Sequence, residues 1–441
     1  MRIVLASGWY FPESLGGTEV YVNALATRLC ASGHEVSVAA PDPSSSEERH
    51  YEHDGVQVYR YPTPSHPTRA ECQGICVVRG AEYFHHWLKN QQPDVVHVHT
   101  FTTGLGIFEL RAAKSARARV LATTHLPSLG WICQRGTMMR WGESLCDGVC
   151  QAAKCSACEL HHRGIPKTLA RLAGQLPVSL SRRGGMLPGS IGSAVGMADL
   201  IVRNQRMQRE CLEIVDRFVV LTNWAMEALA RNGAPRNKIA LNRLGMCQAV
   251  PHRKPGPQVK PTPLPVTIGY LGRFEPLKGV RELARAVANL DRSLPLRVEF
   301  RGPVRTDSDR NQVDQVRIAA GGDPRVRFGG EVTAQDVPKV LAGYDVLCCP
   351  SLALEGGPTV AIEAHAVGTP VIGSRIGGLA EVISDGVNGR LMPPGDVRAL
   401  RAVLREISEN PAGTVDCWRN ALPQARTMDT VVADYLNLYT A

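Results

Sequence analysis

Residues 345–374 read DVLCCPSLALEGGPTVAIEAHAVGTPVIGS, and the order of apolar runs and punctuation in this stretch decides the fold. DVLCCPS (345–351) is a short apolar run bounded by turn residues, the mark of a buried strand. Gly356-Gly357 then lets the backbone approach a ligand closely, and Pro358 suits a first helical turn. TVAIEAHAV carries a helix to a stop at Gly368, and TPVIGS (369–374) is the next strand. A strand, helix and strand in succession form a βαβ unit, which builds a parallel sheet.

The same alternation extends in both directions. RIVLAS (2–7), HEVSVAA (34–40), DVVHVHT (94–100), RVLATTH (119–125) and DRFVVLT (216–222) are the predicted strands of a first half. Helical spacing of Val20, Ala24, Leu25 and Leu29 follows Gly16-Gly17, and Gly33 ends that helix. Residues 247–265 hold seven prolines or glycines without periodicity and read as a linker. A second strand series begins at VTIGYLGR (266–273) and runs through LRVEFRG (296–302), VRFGGEV (326–332) and GRLMP (389–393). The expected architecture is α/β: two facing Rossmann-like domains with parallel sheets, 1–246 and 266–425, and a cleft between them at the strand carboxyl ends. Residues 426–441 are expected as a helix packing back on the body.

The 441 residues suit two such domains, and 44% hydrophobic with 21% charged residues is a globular composition. No apolar run approaches the roughly 20 residues that cross a bilayer. The start, MRIVLASGWYFP, reads as a strand rather than a signal peptide, so the expected compartment is the cytoplasm. A net charge of +9 suits an anionic partner and permits peripheral contact with an inner membrane surface.

Two elements carry chemistry. The helix start after Gly357 offers open N–H groups and a positive dipole end, an anion site. GRFEPLKG (272–279) ends the first strand of the second half, where Arg273 as a fork and Lys278 as a point charge could clamp a diphosphate. Glu355 precedes the helix and Glu363 lies about one and a half turns into it. They are not a stacked pair, and each alone could be a cap or a solvated helix residue.

Together GRFEPLKG, YDVLCCPSLALEGGPTVAIEAHAVGTPVIGSRIGG, EVISDGVNGRLMPPGD and GGTEVYVNALATRLCASGHEV resemble the family 4 retaining glycosyltransferases, of the two-domain GT-B type. The resemblance implies a nucleoside-diphosphate sugar donor, UDP or GDP. It implies that Arg273 and Lys278 bind the diphosphate and Glu363 the ribose, with Glu355 and His125 beside the reacting sugar. Backbone groups of Gly357, Pro358, Thr359 and Val360 would receive donor oxygens, and Gly16 and Gly17 would lie beneath the phosphates from the other domain. Two cations and a helix end stabilise a leaving diphosphate without a catalytic metal. The acceptor, a small molecule, saccharide or lipid-linked sugar, stays open. His97 and His99 share a strand face and are expected to be structural.

The sequence departs from the family pattern at about 131–166, WICQRGTMMRWGESLCDGVCQAAKCSACELHHRGIP. Cys155-x2-Cys158 is a chelating knuckle, and Cys133 and Cys146 could complete a tetrahedral thiolate site for zinc. Cys150, His161 and His162 are substitutes; free thiols and an iron–sulfur cluster remain alternatives. Other functions on this sequence are a nucleotide-sugar epimerase or phosphorylase on the same fold, or a zinc-ribbon nucleic-acid-binding protein. Aromatic residues at 5% give the last little to stack on.

Overall fold

The computed structural model describes residues 1–14, 16–125, 132–247 and 265–441. Most of the predicted 247–265 linker, and residues 126–131 at the start of the cysteine segment, lie outside the described residues. The chain divides into two units: Met1–Arg243 together with Met428–Ala441, and Leu244–Thr427.

In the first unit, β1 (Arg2–Ala6), β2 (Glu35–Asp42), β5 (Val95–Val98), β6 (Arg119–Thr124), β9 (Arg217–Val220) and β10 (Ile239–Leu241) run parallel. Their apolar runs are continuous because helices cover both faces of a parallel sheet; all four residues of β5 are buried, His97 included. The sheet is not wholly parallel as expected. β3 (Arg49–His53) and β4 (Val56–Pro62) form an antiparallel hairpin that brings the sheet to eight strands. RHYEH alternates between half-buried and exposed residues and is too polar to read as a strand; Asp54 (φ 50°) and Gly55 (φ 78°) make the tight turn that pairs it with β4.

Between β6 and β9 the chain forms a two-stranded ribbon, β7 (Met139–Arg140) and β8 (Ser144–Leu145), and then five helices. Helix Ala152–His162 begins the series, and helix Met197–Ile214 returns the chain to the sheet. A small core of Leu160, Ala170, Met197 and Leu200 holds this block together. The block therefore continues well beyond the cysteine segment.

The carboxyl-terminal helix Met428–Thr440 belongs to the first unit. His97 explains why: its Nδ1 lies 2.8 Å from Tyr439 Oη and its Nε2 2.7 Å from Thr123 Oγ1. Tyr435 Oη reaches Thr123 Oγ1 at 2.9 Å and Tyr21 Oη at 3.1 Å. A buried imidazole with both nitrogens engaged is a structural bolt.

The second unit is built on β11 (Val266–Leu271), β12 (Leu296–Arg301), β13 (Val326–Phe328), β14 (Val346–Cys349), β15 (Val371–Ser374) and β16 (Gly389–Met392). They are all parallel, in the order β13-β12-β11-β14-β15-β16. Ile268, Phe300, Val346 and Ile372 join Leu283, Leu404 and Trp418 in one core on one face; Leu347, Ala361, Ala364 and Val371 join in another.

Candidate functional site

Each sheet has a topological switch point, where strand order reverses and loops on the carboxyl side part. In open α/β sheets that crevice takes ligands. In the second unit it lies between β11 and β14, which are neighbours whose successors run to opposite edges. The turn after β11 carries Arg273 and Lys278; the loop after β14 carries Ser351 to Gly357. The fold thus brings together the two segments singled out in the sequence.

They touch directly. Leu352 N–H donates to the Leu277 carbonyl at 2.8 Å, and Lys278 Nζ lies 2.7 Å from Glu355 Oε1. Ser351 Oγ, which sequence reasoning missed, donates to the same oxygen at 2.7 Å. Gly279 makes the approach possible. Its φ is 70°, and a Cβ there would collide with the Pro350 carbonyl oxygen. Arg273 points elsewhere: it is exposed and pairs with Glu275 at 2.6 Å, another residue not anticipated. Each of the two predicted cations is therefore matched with a carboxylate.

The helix Thr359–Val367 starts as expected, after Pro358, and stops at Gly368 in the left-handed region (φ 93°). Thr359 N–H donates to Gly357 O, while Ala361 and Ile362 N–H donate to Pro358 O. Val360 N–H is left without an acceptor among the described residues, an open donor at the positive end of the helix. Glu363 is half-buried, and burial raises its carboxyl above the ordinary range. It carries no hydrogen bond among the described residues, so its oxygens are available to hydroxyl donors. His365, behind it, is buried; desolvation lowers its imidazole to about 4, and its Nε2 is unpartnered among the described residues.

In the first unit the switch point lies between β1 and β5. Gly16 caps and Gly17 opens the helix Gly17–Ala31, and a Cβ at Gly17 would meet no atom within 4 Å. Glu19, in its first turn, is buried against Ser14 and was not foreseen. His125 follows β6 with its Nε2 3.1 Å from His99 Nδ1 and its ring edge-on to Tyr21, centroids 4.9 Å apart. Burial brings the His125 imidazole down to about 3, so it is neutral at physiological pH, a hydrogen-bonding group rather than a cation. His99 thus differs from His97: it is the buried support of His125.

Past the end of β5 lies a cavity of about 510 Å³ whose wall includes Phe101, Thr102, Glu109, Arg69, Arg163 and the Cys133–Gly136 turn. Cys133, Cys146, Cys155 and Cys158 all line a second, smaller cavity behind that turn. Cys150 stands outside that lining, with its thiol beside that of Cys155. His161 Nδ1 is taken by the Ile165 carbonyl at 2.9 Å. Among the described residues no three His, Cys, Asp or Glu side chains are already arranged around a metal position.

Two Rossmann-like units built on largely parallel sheets, with polar loops at the switch points, make up the GT-B type of fold, the fold of its solved structural neighbours. Residues 16–154 match the family described as Glycosyl transferase 4-like domain, and residues 265–410 match Glycosyl transferases group 1. The chain is 27% identical over 446 aligned positions to the D-inositol 3-phosphate glycosyltransferase of Nocardioides sp., covering 93% of this chain and 81% of that protein. It is 28% identical to the enzyme of the same name from Streptomyces avermitilis, covering 71% of this chain and 62% of that one. In fold it is similar to Anabaena HepE, solved in complex with UDP, with a TM-score of 0.64, 14% identity and 100% of both chains covered. No helix of the described residues is long and apolar enough to cross a membrane.

Proposed function

We propose that this glycosyltransferase takes its sugar from a nucleoside diphosphate, UDP before GDP, and transfers it with retention of anomeric configuration. The observation that carries this reading is the meeting of Lys278, Glu355, Ser351 and an open helix start at one switch point. The diphosphate displaces Glu355 from Lys278 and receives Arg273 and the Val360 N–H, while Glu363 accepts the ribose hydroxyls. Glu355, once released, faces the sugar, where a carboxylate stabilises positive charge at the anomeric carbon. The bond from that carbon to the diphosphate oxygen breaks, with the electron pair leaving on the phosphate. The acceptor oxygen attacks from the same face and gives its proton to the departing phosphate oxygen. No metal ion is required in this scheme, since two cations and a helix dipole meet the developing charge.

Neutral His125, held by His99, is suited to donate or accept a hydrogen bond from a sugar hydroxyl. The cavity of about 510 Å³ on the first unit is the proposed acceptor site. A saccharide or lipid-linked acceptor at a membrane surface is favoured by a specific surface. Leu169, Leu172, Leu180, Met186, Leu187 and Ile191 are all exposed, Met186 at 83% and Ile191 at 70%. Residues 160–198 contain no acidic side chain, while Arg163, Lys167, Arg171, Arg182 and Arg183 are basic. Exposed apolar side chains among basic ones suit an anionic bilayer surface.

The deciding experiment is a titration of the protein with UDP-, GDP- and ADP-sugars, followed by acceptor screening with the tightest donor and assignment of the product anomer by NMR. Binding to none of the three classes overturns the donor reading. An inverted anomer, or turnover without an acceptor, overturns the retaining transfer.

A further inference from the structure

The cysteine segment lies outside the chemistry proposed above, yet it is organised. Four of its thiols, on three separate pieces of chain, line one cavity of about 30 Å³. Cys133 stands in a turn closed by Gly136 N–H on the Cys133 carbonyl (3.0 Å), and Cys146 follows β8, with its N–H on the Met138 carbonyl (2.9 Å). Cys155 and Cys158 lie three apart on helix Ala152–His162, so they share a face. None of the four is in a disulfide.

From this shared cavity we infer that Cys133, Cys146, Cys155 and Cys158 hold a single structural zinc ion. The cavity has the room of a water or two, which suits one ion with Zn–S bonds of about 2.3 Å. Two thiols already receive the backbone donors that a metal-bound thiolate needs. Trp141 N–H points at Cys158 Sγ at 3.3 Å, and Gln151 N–H at Cys155 Sγ at 3.4 Å. Such N–H···S bonds orient ligands and offset their charge.

Charge is balanced in the same way. Four thiolates and Zn²⁺ carry two net negative charges, and Arg135, Arg140 and Lys154 line the same cavity. Arg135 already donates to Cys158 Sγ at 3.7 Å. Binding releases four thiol protons, and the thiols must re-aim from their present partners into the cavity they share. Cys150 is left out. It stands outside the cavity lining, and its backbone is tied to Asn232 and Gln205.

The consequence reaches the acceptor side. Cys133, Gln134 and Arg135 belong both to the small cavity and to the wall of the 510 Å³ cavity. The ion joins the β7–β8 ribbon to the helix behind it and so fixes that wall, in a region whose own core is small.

Metal analysis of the full chain purified under reducing conditions should find one zinc per chain. Cys150→Ser and the exposed Cys417→Ser should keep it, while Cys155→Ser and Cys158→Ser should lose it. Because cysteine variants can misfold, the wild-type protein is also exchanged into cobalt(II). A visible d–d band with a thiolate charge-transfer band is expected, and chelation should lower Tm reversibly. Substoichiometric zinc with no cobalt–thiolate band overturns the inference. So does zinc retained by a Cys155→Ser/Cys158→Ser double variant, or a brown, sulfide-bearing cluster in place of zinc. None of these readouts depends on donor or acceptor, so they stand apart from the proposed transferase reaction.

Discussion

Lys278 Nζ and Glu355 Oε1 lie 2.7 Å apart, joining the turn after β11 to the loop after β14. The pair sits at the switch point of the second sheet, where the proposed diphosphate has to displace Glu355 from Lys278. A carboxylate on a phosphate-binding lysine is a competitor for the ligand and a brace in its absence. Variants of the two residues should therefore behave in opposite ways toward nucleotide.

Lys278→Ala should weaken UDP binding and reduce kcat/KM by about 10²–10³, the range seen when one transition-state donor is removed. Glu355→Gln should reduce kcat to a similar degree while leaving UDP affinity unchanged or tighter, because Lys278 is released. Calorimetric UDP titration beside steady-state rates separates the two. Equal losses of UDP affinity in both variants would show the pair acting only as a brace.

Glu363→Gln should raise KM for the donor with little change in kcat, since a ribose contact is made equally in ground and transition states. Burial raises the Glu363 carboxyl, so the protonated form persists above the ordinary glutamate range. Donor affinity should fall on acidification at a pH higher than an exposed glutamate would give, and this acid limb should be missing in the variant. His125, lowered to about 3, should contribute nothing to that limb.

Glu109 offers a test of stability rather than activity. Desolvation raises its carboxyl to about 7 from 4.5, against the pull of the Gly106 N–H at 2.7 Å. The folded state then binds more protons than the unfolded state between these values. Glu109's contribution to stability is full below about 4.5 and is lost as pH rises through about 7. Urea unfolding of wild-type protein across this window should show a downward slope worth roughly 1–3 kcal/mol, which Glu109→Gln should flatten. An identical slope in both proteins would assign it to other groups.

The exposed apolar helices make a prediction about surfaces. Wild-type protein should sediment with vesicles containing anionic lipid, less so at high salt, and weakly with neutral vesicles. Leu172→Ser with Ile191→Ser should reduce this binding several-fold without altering Tm, as both side chains are exposed. Equal sedimentation of the double variant would locate the contact elsewhere.

Most strands of the two sheets were legible because burial on two faces demands continuous apolar runs, as in RIVLA and VVHV; β10, short and only partly buried, was not singled out. Helix limits at Gly33 and Gly368 were legible for a local reason too: both glycines take positive φ. The β3–β4 hairpin was not, because RHYEH is stabilised by pairing with β4 and not by its own pattern. Glu275 and Ser351 were missed for a related reason. Nothing in one dimension shows which carboxylate or hydroxyl will face a given cation.

Sequence by itself determined the alternation of strands and helices, the glycines that end helices and the segments rich in chemistry, since these follow from periodicity, backbone freedom and residue type. Tertiary structure alone decided which of those segments meet. Sheet order put the GRFEPLKG turn against the EGGP loop and locked Lys278 onto Glu355. It anchored the last helix on the first unit through His97 and Tyr439, and it set four separated cysteines around one cavity. Such pairings depend on strand order and packing between residues far apart in the chain, which local periodicity does not encode.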